Sequence, residues 1–204
     1  MGSVALSTAG EAELRAIVEA AGLQRFRVAQ LRQAVWQPFL TSFADVRQLP
    51  EDARERLAAA VRFTTVQVVA ESEADLGNTV KLLCELGPGL TVETVAMETP
   101  ARAGSKRRST VCVSSQVGCA VGCPFCATGR MGLRRSCTAA EIIDQVRAAA
   151  QALHRRGLGP VTHVVFMGMG EPLANTDATI DSLRVLSASC LLYTSDAADD
   201  LTRV

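Results

Sequence analysis

The stretch CVSSQVGCAVGCPFC, residues 112–126, holds four of the seven cysteines in this 204-residue chain. Cys119, Cys123 and Cys126 have the spacing C-x3-C-x2-C, and Cys112 precedes them. Gly118 and the glycine at 122 allow the tight turns of a loop that wraps around a metal centre. In a reducing compartment, clustered thiols bind metal more often than they form disulfides. The stretch therefore predicts a metal-binding loop.

The composition is that of an ordinary globular protein, with 48% hydrophobic and 21% charged residues. The first fifteen residues lack a basic segment followed by an apolar one, so they do not resemble a secretory signal. No apolar run is long enough to span a bilayer. We therefore expect a cytoplasmic protein with no membrane partner.

The basic residues are unevenly distributed, although the net charge is zero. No acidic residue lies between Thr99 and Ala140. The same window contains Arg102, Lys106, Arg107, Arg108, Arg130, Arg134 and Arg135. Such a segment can follow RNA phosphates, and a solvated loop is the equally acceptable alternative.

The first part of the chain predicts two small units. Residues 1–62 contain three helical patterns, EAELRAIVEAAG, RFRVAQLRQAVWQP and LPEDARERLAAAVRF; we expect a compact helical unit. Residues 63–100 contain the alternating runs TTVQVVAES, NTVKLLCEL and LTVETVAM, with a turn at GPG. These predict a small antiparallel β-meander.

Residues 101–187 read as strand, loop, helix, strand, helix, which is the start of an α/β sheet or barrel. The strands are TVCV and VTHVVFMG, and the first helix begins with a capping box formed by Thr138 and Glu141. Two parallel strands alone leave an unpaired hydrophobic edge, so we expect this core to be truncated. Residues 188–204 lose the helical pattern and are expected to be a non-native tail.

Two kinds of metal centre compete for the cysteine loop. A structural zinc site needs four ligands, which would require Cys112, Cys137 or a histidine to join the three spaced cysteines. A [4Fe–4S] cluster held by three thiolates instead leaves one iron open to a chelating ligand such as S-adenosylmethionine (SAM). Phe125 could then shield the cluster from water.

The stretch from Cys112 to Val146, together with VVFMGMGEPL and, more weakly, VETVAM, resembles the radical SAM superfamily and within it the RlmN/Cfr family of RNA adenosine methyltransferases. The resemblance covers roughly residues 10–187. It implies an α/β fold that is an incomplete radical SAM barrel of the partial TIM type, containing its first two βα units.

The resemblance also implies the cofactors and their ligands. Cys119, Cys123 and Cys126 match the residues that bind a [4Fe–4S] cluster. Gly170 and Glu171 match the glycine–glutamate pair that contacts SAM. With Gly168 they follow a parallel strand, where the backbone can approach a ligand and a carboxylate can accept from the amino group of SAM.

Two further residues match catalytic positions of the family. Cys112 matches the cysteine that resolves a covalent RNA–enzyme intermediate, and Glu93 matches the proton acceptor. Taken alone, Cys112 is a buried strand thiol and Glu93 is an outward residue of an alternating strand. Cys84 and Cys137 match no family position.

The implied reaction transfers a methyl group from a modified cysteine to an adenosine base carbon, C2, in 23S rRNA, with transfer RNA as a second candidate substrate. The resemblance implies radical cleavage of SAM, an electron donor for the cluster and a monomeric enzyme. The methyl-carrying cysteine of the family lies near the C-terminus, and Cys190 is a poor substitute for it. We therefore expect the chain to bind a cluster without completing methyl transfer.

Three alternatives stay open from the sequence. The first is another radical SAM enzyme, such as a maturase. The second is a zinc-stabilised RNA-binding module without catalysis. The third is a fragment that does not fold.

Overall fold

The computed structural model describes residues 4–37, 40–101 and 107–188. Within these ranges the helices are α1 (Glu11–Ala20), α2 (Arg27–Val35), α3 (Glu51–Ala60), α4 (Ala127–Arg130), α5 (Ala139–Arg155) and α6 (Thr176–Ala188). The strands are β1 (Gln67–Ala74), β2 (Thr79–Gly87), β3 (Leu90–Thr99), β4 (Arg108–Cys112), β5 (Gln116–Gly118), β6 (Leu133–Ser136) and β7 (His163–Val165). Arg102, Lys106, Cys190 and the rest of the tail from 189 to 204 lie outside the described residues.

The helical unit predicted for the N-terminal part is confirmed as α1, α2 and α3, which surround a core of their own. Leu14 and Val18 of α1 are buried together with Leu31 of α2 and Leu57 of α3. Gly22 follows α1 at a φ of +68°, a left-handed conformation that ends helices at low cost for glycine. The apolar spacing in the sequence therefore produces a small bundle.

A single five-stranded sheet, in the order β1-β2-β3-β4-β7, forms the centre of the remaining chain. The predicted meander is present as antiparallel β1, β2 and β3. The two parallel strands predicted from the sequence do not stand alone, because β4 pairs antiparallel with β3 on one edge and parallel with β7 on the other. The meander and the two parallel strands therefore share one hydrophobic core.

Helix α5 covers one face of the sheet, and its position follows from its sequence. Thr138 caps the helix by accepting from the backbone N–H of Glu141, whose carboxylate accepts from the N–H of Thr138. Ile142 and Val146 are fully buried against the sheet. The predicted capping box is confirmed, and the long crossover through α5 lets β4 and β7 run parallel.

Arg147 of α5 attaches the helical unit to the sheet. Its guanidinium donates to the carbonyls of Val35 and Phe63, each at 2.8 Å, and to the carboxylate of Asp144 at 2.6 Å. Asp144 also accepts from the backbone N–H and the hydroxyl of Thr65, both at 2.7 Å. The pair is buried, and Nη2 of Arg147 is the one nitrogen of its guanidinium without a hydrogen-bond partner among the described residues.

None of the helices in the described ranges is long and apolar enough to cross a bilayer.

Replacement of Arg147 by alanine should destabilise the fold strongly, because it leaves the Asp144 carboxylate buried without its cation. We expect the free energy of unfolding to fall by about 3–5 kcal/mol, measured by urea denaturation followed by circular dichroism. Arg184→Ala removes an exposed ion pair with Asp181 and should cost less than about 1 kcal/mol. Equal losses in the two variants would contradict the role assigned to Arg147.

Candidate functional site

The three spaced cysteines lie in one loop between β5 and β6. The backbone N–H of Cys119 donates to Gly132 O at 3.1 Å, which closes the base of the loop, and the N–H of Cys126 donates to Cys123 O at 3.0 Å. Phe125 is 87% exposed in this structure and does not cover the thiols. All three cysteines thus belong to one loop, in which Cys119 is buried and Cys123 and Cys126 are partly exposed.

Two glycines permit the path of this loop. Gly118 has a φ of +78°, and a Cβ there would lie 1.8 Å from the carbonyl oxygen of Gly132. A Cβ at Gly129 would lie 3.0 Å from the backbone nitrogen of Cys123. No residue with a side chain could occupy Gly118 without opening the β5–β6 ribbon.

The thiol of Cys126 is placed to ionise. Cys126 precedes α4, and the backbone N–H of Gly129 donates to its sulfur, as do the N–H and hydroxyl of Thr128. These donors lower the pKa of the Cys126 thiol below its usual value. The thiolate is the form that binds metals.

The thiols outside the loop have the opposite character. Cys137 is buried, and burial raises the pKa of its thiol to about 12. Burial also raises the pKa of Cys112 above its usual value.

Within the described residues, no group of three or more His, Cys, Asp or Glu side chains is gathered as a metal site. The fit of a metal group therefore rests on donor chemistry. Three thiols occur within eight residues of the loop, one of them with a lowered pKa, and positions 119–126 contain no carboxylate and no imidazole. This donor set fits an iron–sulfur cluster held by three cysteines.

Cys112 and Glu93 lie on the same face of the sheet. Cys112 pairs with Val95 across β3 and β4, so Glu93, two residues before Val95, is its diagonal neighbour. The opposite face of β3 carries Thr94, whose hydroxyl bonds to Gln145 of α5. Both predicted catalytic residues therefore point away from α5.

Glu93 has a cationic partner on this face. The ammonium of Lys81 in β2 lies 2.9 Å from its carboxylate, and both side chains are about half exposed. Glu93 is outward on an alternating strand, as its sequence pattern predicts. Its role as proton acceptor stays a prediction.

Cys112 marks the point where β4 meets the loop after β7. It pairs with Val165 at the end of β7, and the backbone N–H of Met167 donates to its sulfur. Half-burial of the thiol at this junction matches the expectation of a strand cysteine. The structure places it beside the first residues of the MGMGEP loop.

Gly168 and Gly170 make a close backbone contact with the segment that follows β4. A Cβ at Gly168 would lie 2.7 Å from Ser114 Oγ, and one at Gly170 would lie 2.5 Å from Gln116 Cβ. Gly170 also has a φ of +93°. The sequence-based reason for these glycines was the approach of a ligand, whereas the structure shows that intramolecular packing already requires them.

Glu171 is held at the end of this loop. Its backbone N–H donates to Gln116 Oε1 at 3.0 Å, and its carboxylate accepts from the N–H of Leu173 at 3.1 Å, at the start of the 3-10 turn Pro172–Asn175. The fold therefore brings Glu171 to the carboxyl end of β7. Contact of Gly168, Gly170 and Glu171 with SAM stays a prediction.

Sequence reasoning did not identify the polar residues that hold these parts together. Ser114, Gln116 and Gln145 are buried, and Asn175 donates to the carbonyls of Ser115 and Cys137. A signal was present for Gln145, because it interrupts the apolar stripe of α5 between Ile142 and Ala149. A buried amide in such a stripe needs partners.

Comparison with known proteins gives consistent relatives. No protein-family model matches the chain. A probable dual-specificity RNA methyltransferase RlmN from Salinibacter ruber is 42% identical over 184 residues, covering 90% of this chain and 50% of that protein. The ribosomal RNA large subunit methyltransferase N from Nitrosopumilus maritimus is 41% identical over 177 residues, covering 86% of this chain and 50% of its own length.

The fold is also similar to a solved structure. The crystal structure of a radical SAM methyltransferase from Sphaerobacter thermophilus superimposes with a TM-score of 0.81 at 40% sequence identity, covering 90% of this chain and 52% of that one. The chain spans about half the length of the curated relatives that it matches. Over about 90% of its length the chain is homologous to RlmN-type RNA methyltransferases and shares the fold of a radical SAM methyltransferase.

Proposed function

We propose that this chain provides the cluster- and SAM-binding part of a radical SAM methyltransferase that modifies an adenosine base carbon, C2, of ribosomal RNA and also of transfer RNA. One observation carries the proposal. One short segment, residues 112–119, begins with Cys112 and adjoins Glu93, the cysteine loop and the loop at 168–171. The two catalytic candidates, Cys112 and Glu93, share one face of the sheet.

Cys119, Cys123 and Cys126 would hold the [4Fe–4S] cluster, which supplies the one-electron chemistry that cleaves SAM. The Gly129 and Thr128 donors favour the thiolate of Cys126 before any metal binds. Glu171 would accept from the amino group of SAM, and its position is supported by the bond between its N–H and Gln116. The fourth coordination position needed for SAM is left by the three-cysteine donor set.

Glu93 and Cys112 would act on the RNA substrate. Glu93 would accept a proton, and the ammonium of Lys81 lies 2.9 Å from its carboxylate. Cys112 would supply the thiol that releases the product. Their common face supports a shared substrate.

RNA binding is supported by the basic segment. Arg107, Arg108, Arg130 and Arg134 are all exposed. Arg134 donates to Gly89 O at 2.6 Å and Arg130 to Pro124 O at 3.1 Å. These two exposed guanidiniums lie within or next to the cysteine loop and suit the phosphates of a folded RNA, whereas Arg107 pairs with the carboxylate of Glu98.

The architecture agrees with the beginning of a partial barrel, in which β4, α5, β7 and α6 would be the first two βα units. The helical unit from 1 to 62 would be an accessory RNA-binding domain, next to the meander from 63 to 100 and the core from 101 to 187. Cytoplasmic location, an electron donor and a monomeric state follow from the same proposal and stay predictions.

The alternative of a zinc-stabilised RNA-binding module is weaker, because the solved structure that the chain resembles is a radical SAM methyltransferase. Another radical SAM activity is disfavoured by relatives whose names specify RNA methyltransferases. Metal analysis after anaerobic reconstitution with iron and sulfide separates the zinc alternative from the cluster.

Single serine replacements of Cys119, Cys123 and Cys126 should each abolish cluster assembly. We expect the reconstituted chain to hold about four iron atoms and each variant to lose most of them, measured as iron and acid-labile sulfide per chain. Cys84→Ser is the control, because Cys84 is buried against Thr94 in the sheet core. Unchanged iron in any loop variant, or stoichiometric zinc in its place, would refute the assignment.

Gly170→Ala should weaken SAM binding by displacing the loop from Gln116. The left-handed φ alone costs roughly 1–2 kcal/mol for a residue with a Cβ, and the overlap with Gln116 adds to it. Gly89→Ala is the matched control, since Gly89 has a φ of +66° and open space around it. Equilibrium dialysis with radiolabelled SAM measures the affinity, and equal SAM affinity in the two variants would argue against a SAM contact at this loop.

A further inference from the structure

Gln145 is a fully buried amide on α5, at the side of the helix that faces the sheet. Its oxygen accepts from the backbone N–H of Ser114 at 2.8 Å and from the hydroxyl of Thr94 at 2.9 Å. Its nitrogen donates to Ser114 O at 3.0 Å and to Glu141 O at 3.2 Å. The amide therefore uses two acceptor and two donor positions.

These partners fix the orientation of the amide. Rotation by 180° would turn its NH2 group toward the N–H of Ser114 and its oxygen toward two carbonyls, which are repulsive pairs. In this orientation Gln145 bonds to both peptide groups of Ser114, as a neighbouring strand would. It thus extends the hydrogen bonding of β4 beyond Cys112.

The side chain of Ser114 is hydrogen-bonded to two other parts of the site. Its hydroxyl donates to the carbonyl of Glu93 at 2.6 Å and accepts from the backbone N–H of Met169 at 2.9 Å. Met169 lies between Gly168 and Gly170. One serine side chain therefore joins β3 to the loop after β7.

We infer that Gln145 is a positioning residue, which acts through Ser114 to hold Glu93, Cys112 and the loop at 168–171 in one arrangement. The inference rests on the proposed function, because it assigns the binding of SAM to that loop. Gln145 itself lies on the opposite face of the sheet from Glu93 and Cys112 and touches neither reactive group. Its effect on the site is geometric.

The physical reason is the cost of unpaired polar groups. Without the amide, the N–H and C=O of Ser114 are buried beside apolar α5 side chains, and an unpaired backbone group in such a place is destabilising. In a variant that lacks the amide, we expect residues 113–116 to move toward water, where the two groups can be hydrogen-bonded. The loop moves with it, because Met169 is bonded to the Ser114 hydroxyl.

The test compares Gln145→Leu with Gln151→Leu in the whole chain reconstituted with iron and sulfide. Gln151 lies on the same helix and donates to Leu40 O in the helical unit, away from the site. We expect Gln145→Leu to raise the Kd for radiolabelled SAM about tenfold, which is the size of effect of one lost buried hydrogen bond, while iron per chain is unchanged. Gln151→Leu should leave the Kd for SAM unchanged.

Amide hydrogen exchange followed by mass spectrometry supplies a readout that general destabilisation does not reproduce. Exchange in Gln145→Leu should accelerate in peptides covering 113–116 and 167–171, beyond the acceleration seen in the other peptides of the sheet. Ser114→Ala keeps the helix intact and removes only the hydroxyl bridge. It should raise the Kd for SAM in the same direction, which keeps the test decisive if Gln145→Leu does not fold.

The inference is overturned if the wild-type chain binds SAM and both Gln145→Leu and Ser114→Ala bind SAM as tightly as the wild type. It is also overturned if Gln151→Leu loses as much SAM affinity as Gln145→Leu. A wild-type chain that assembles a cluster but binds no SAM refutes the proposed function instead. In that case the exchange data alone decide whether Gln145 restrains the loop, and uniform exchange across the sheet would refute that restraint.

Discussion

Residues 113–116 and the loop after β7 lie so close that one methyl group at Gly168 or Gly170 would overlap the opposing segment. The contact is made by backbone on both sides, including bonds from the N–H groups of Ser115 and Gly168 to Met169 O and Val113 O. Because these bonds replace a regular ladder beyond β4 and β7, they determine where both loops begin. The cysteine loop and the candidate SAM loop therefore have a common base.

This common base explains how a sheet with short parallel strands can place several functional groups. The open face receives Cys112 and Glu93 through the register of β3 with β4. The cysteine loop leaves from β5, immediately after the segment that Gln145, Gln116 and Asn175 hold by side-chain amides. Rigid support lies on the α5 side, and the groups proposed to react lie on the other. The residues proposed to react and the residues that support them thus lie on opposite faces of one sheet.

Much of this arrangement could be predicted from local signals. Apolar spacing predicted the three N-terminal helices, alternation predicted the meander, and the capping box located the start of α5. The pairing of β3 with β4 could not be predicted, because it depends on long-range register and not on either sequence alone. The β5–β6 ribbon is equally hidden, since its strands are three and four residues long and carry no periodic pattern.

The candidate site shows the same limit at the level of single residues. The spacing of Cys119, Cys123 and Cys126 pointed to a metal because thiol chemistry is carried by residue type. The sequence suggests that Gly168 and Gly170 are glycines so that a ligand can approach the backbone. Nothing in the sequence shows that Ser114 and Gln116 lie against them. Lys81 could not be linked to Glu93 without the register of β2 with β3.

We propose that the three-cysteine loop holds a [4Fe–4S] cluster whose open iron binds SAM beside residues 168–171. The decisive measurement is electron paramagnetic resonance of the reconstituted, reduced chain with and without SAM. We expect the signal of a [4Fe–4S] cluster that changes when SAM is added. A cluster whose signal is identical with and without SAM would show that SAM does not bind at its iron.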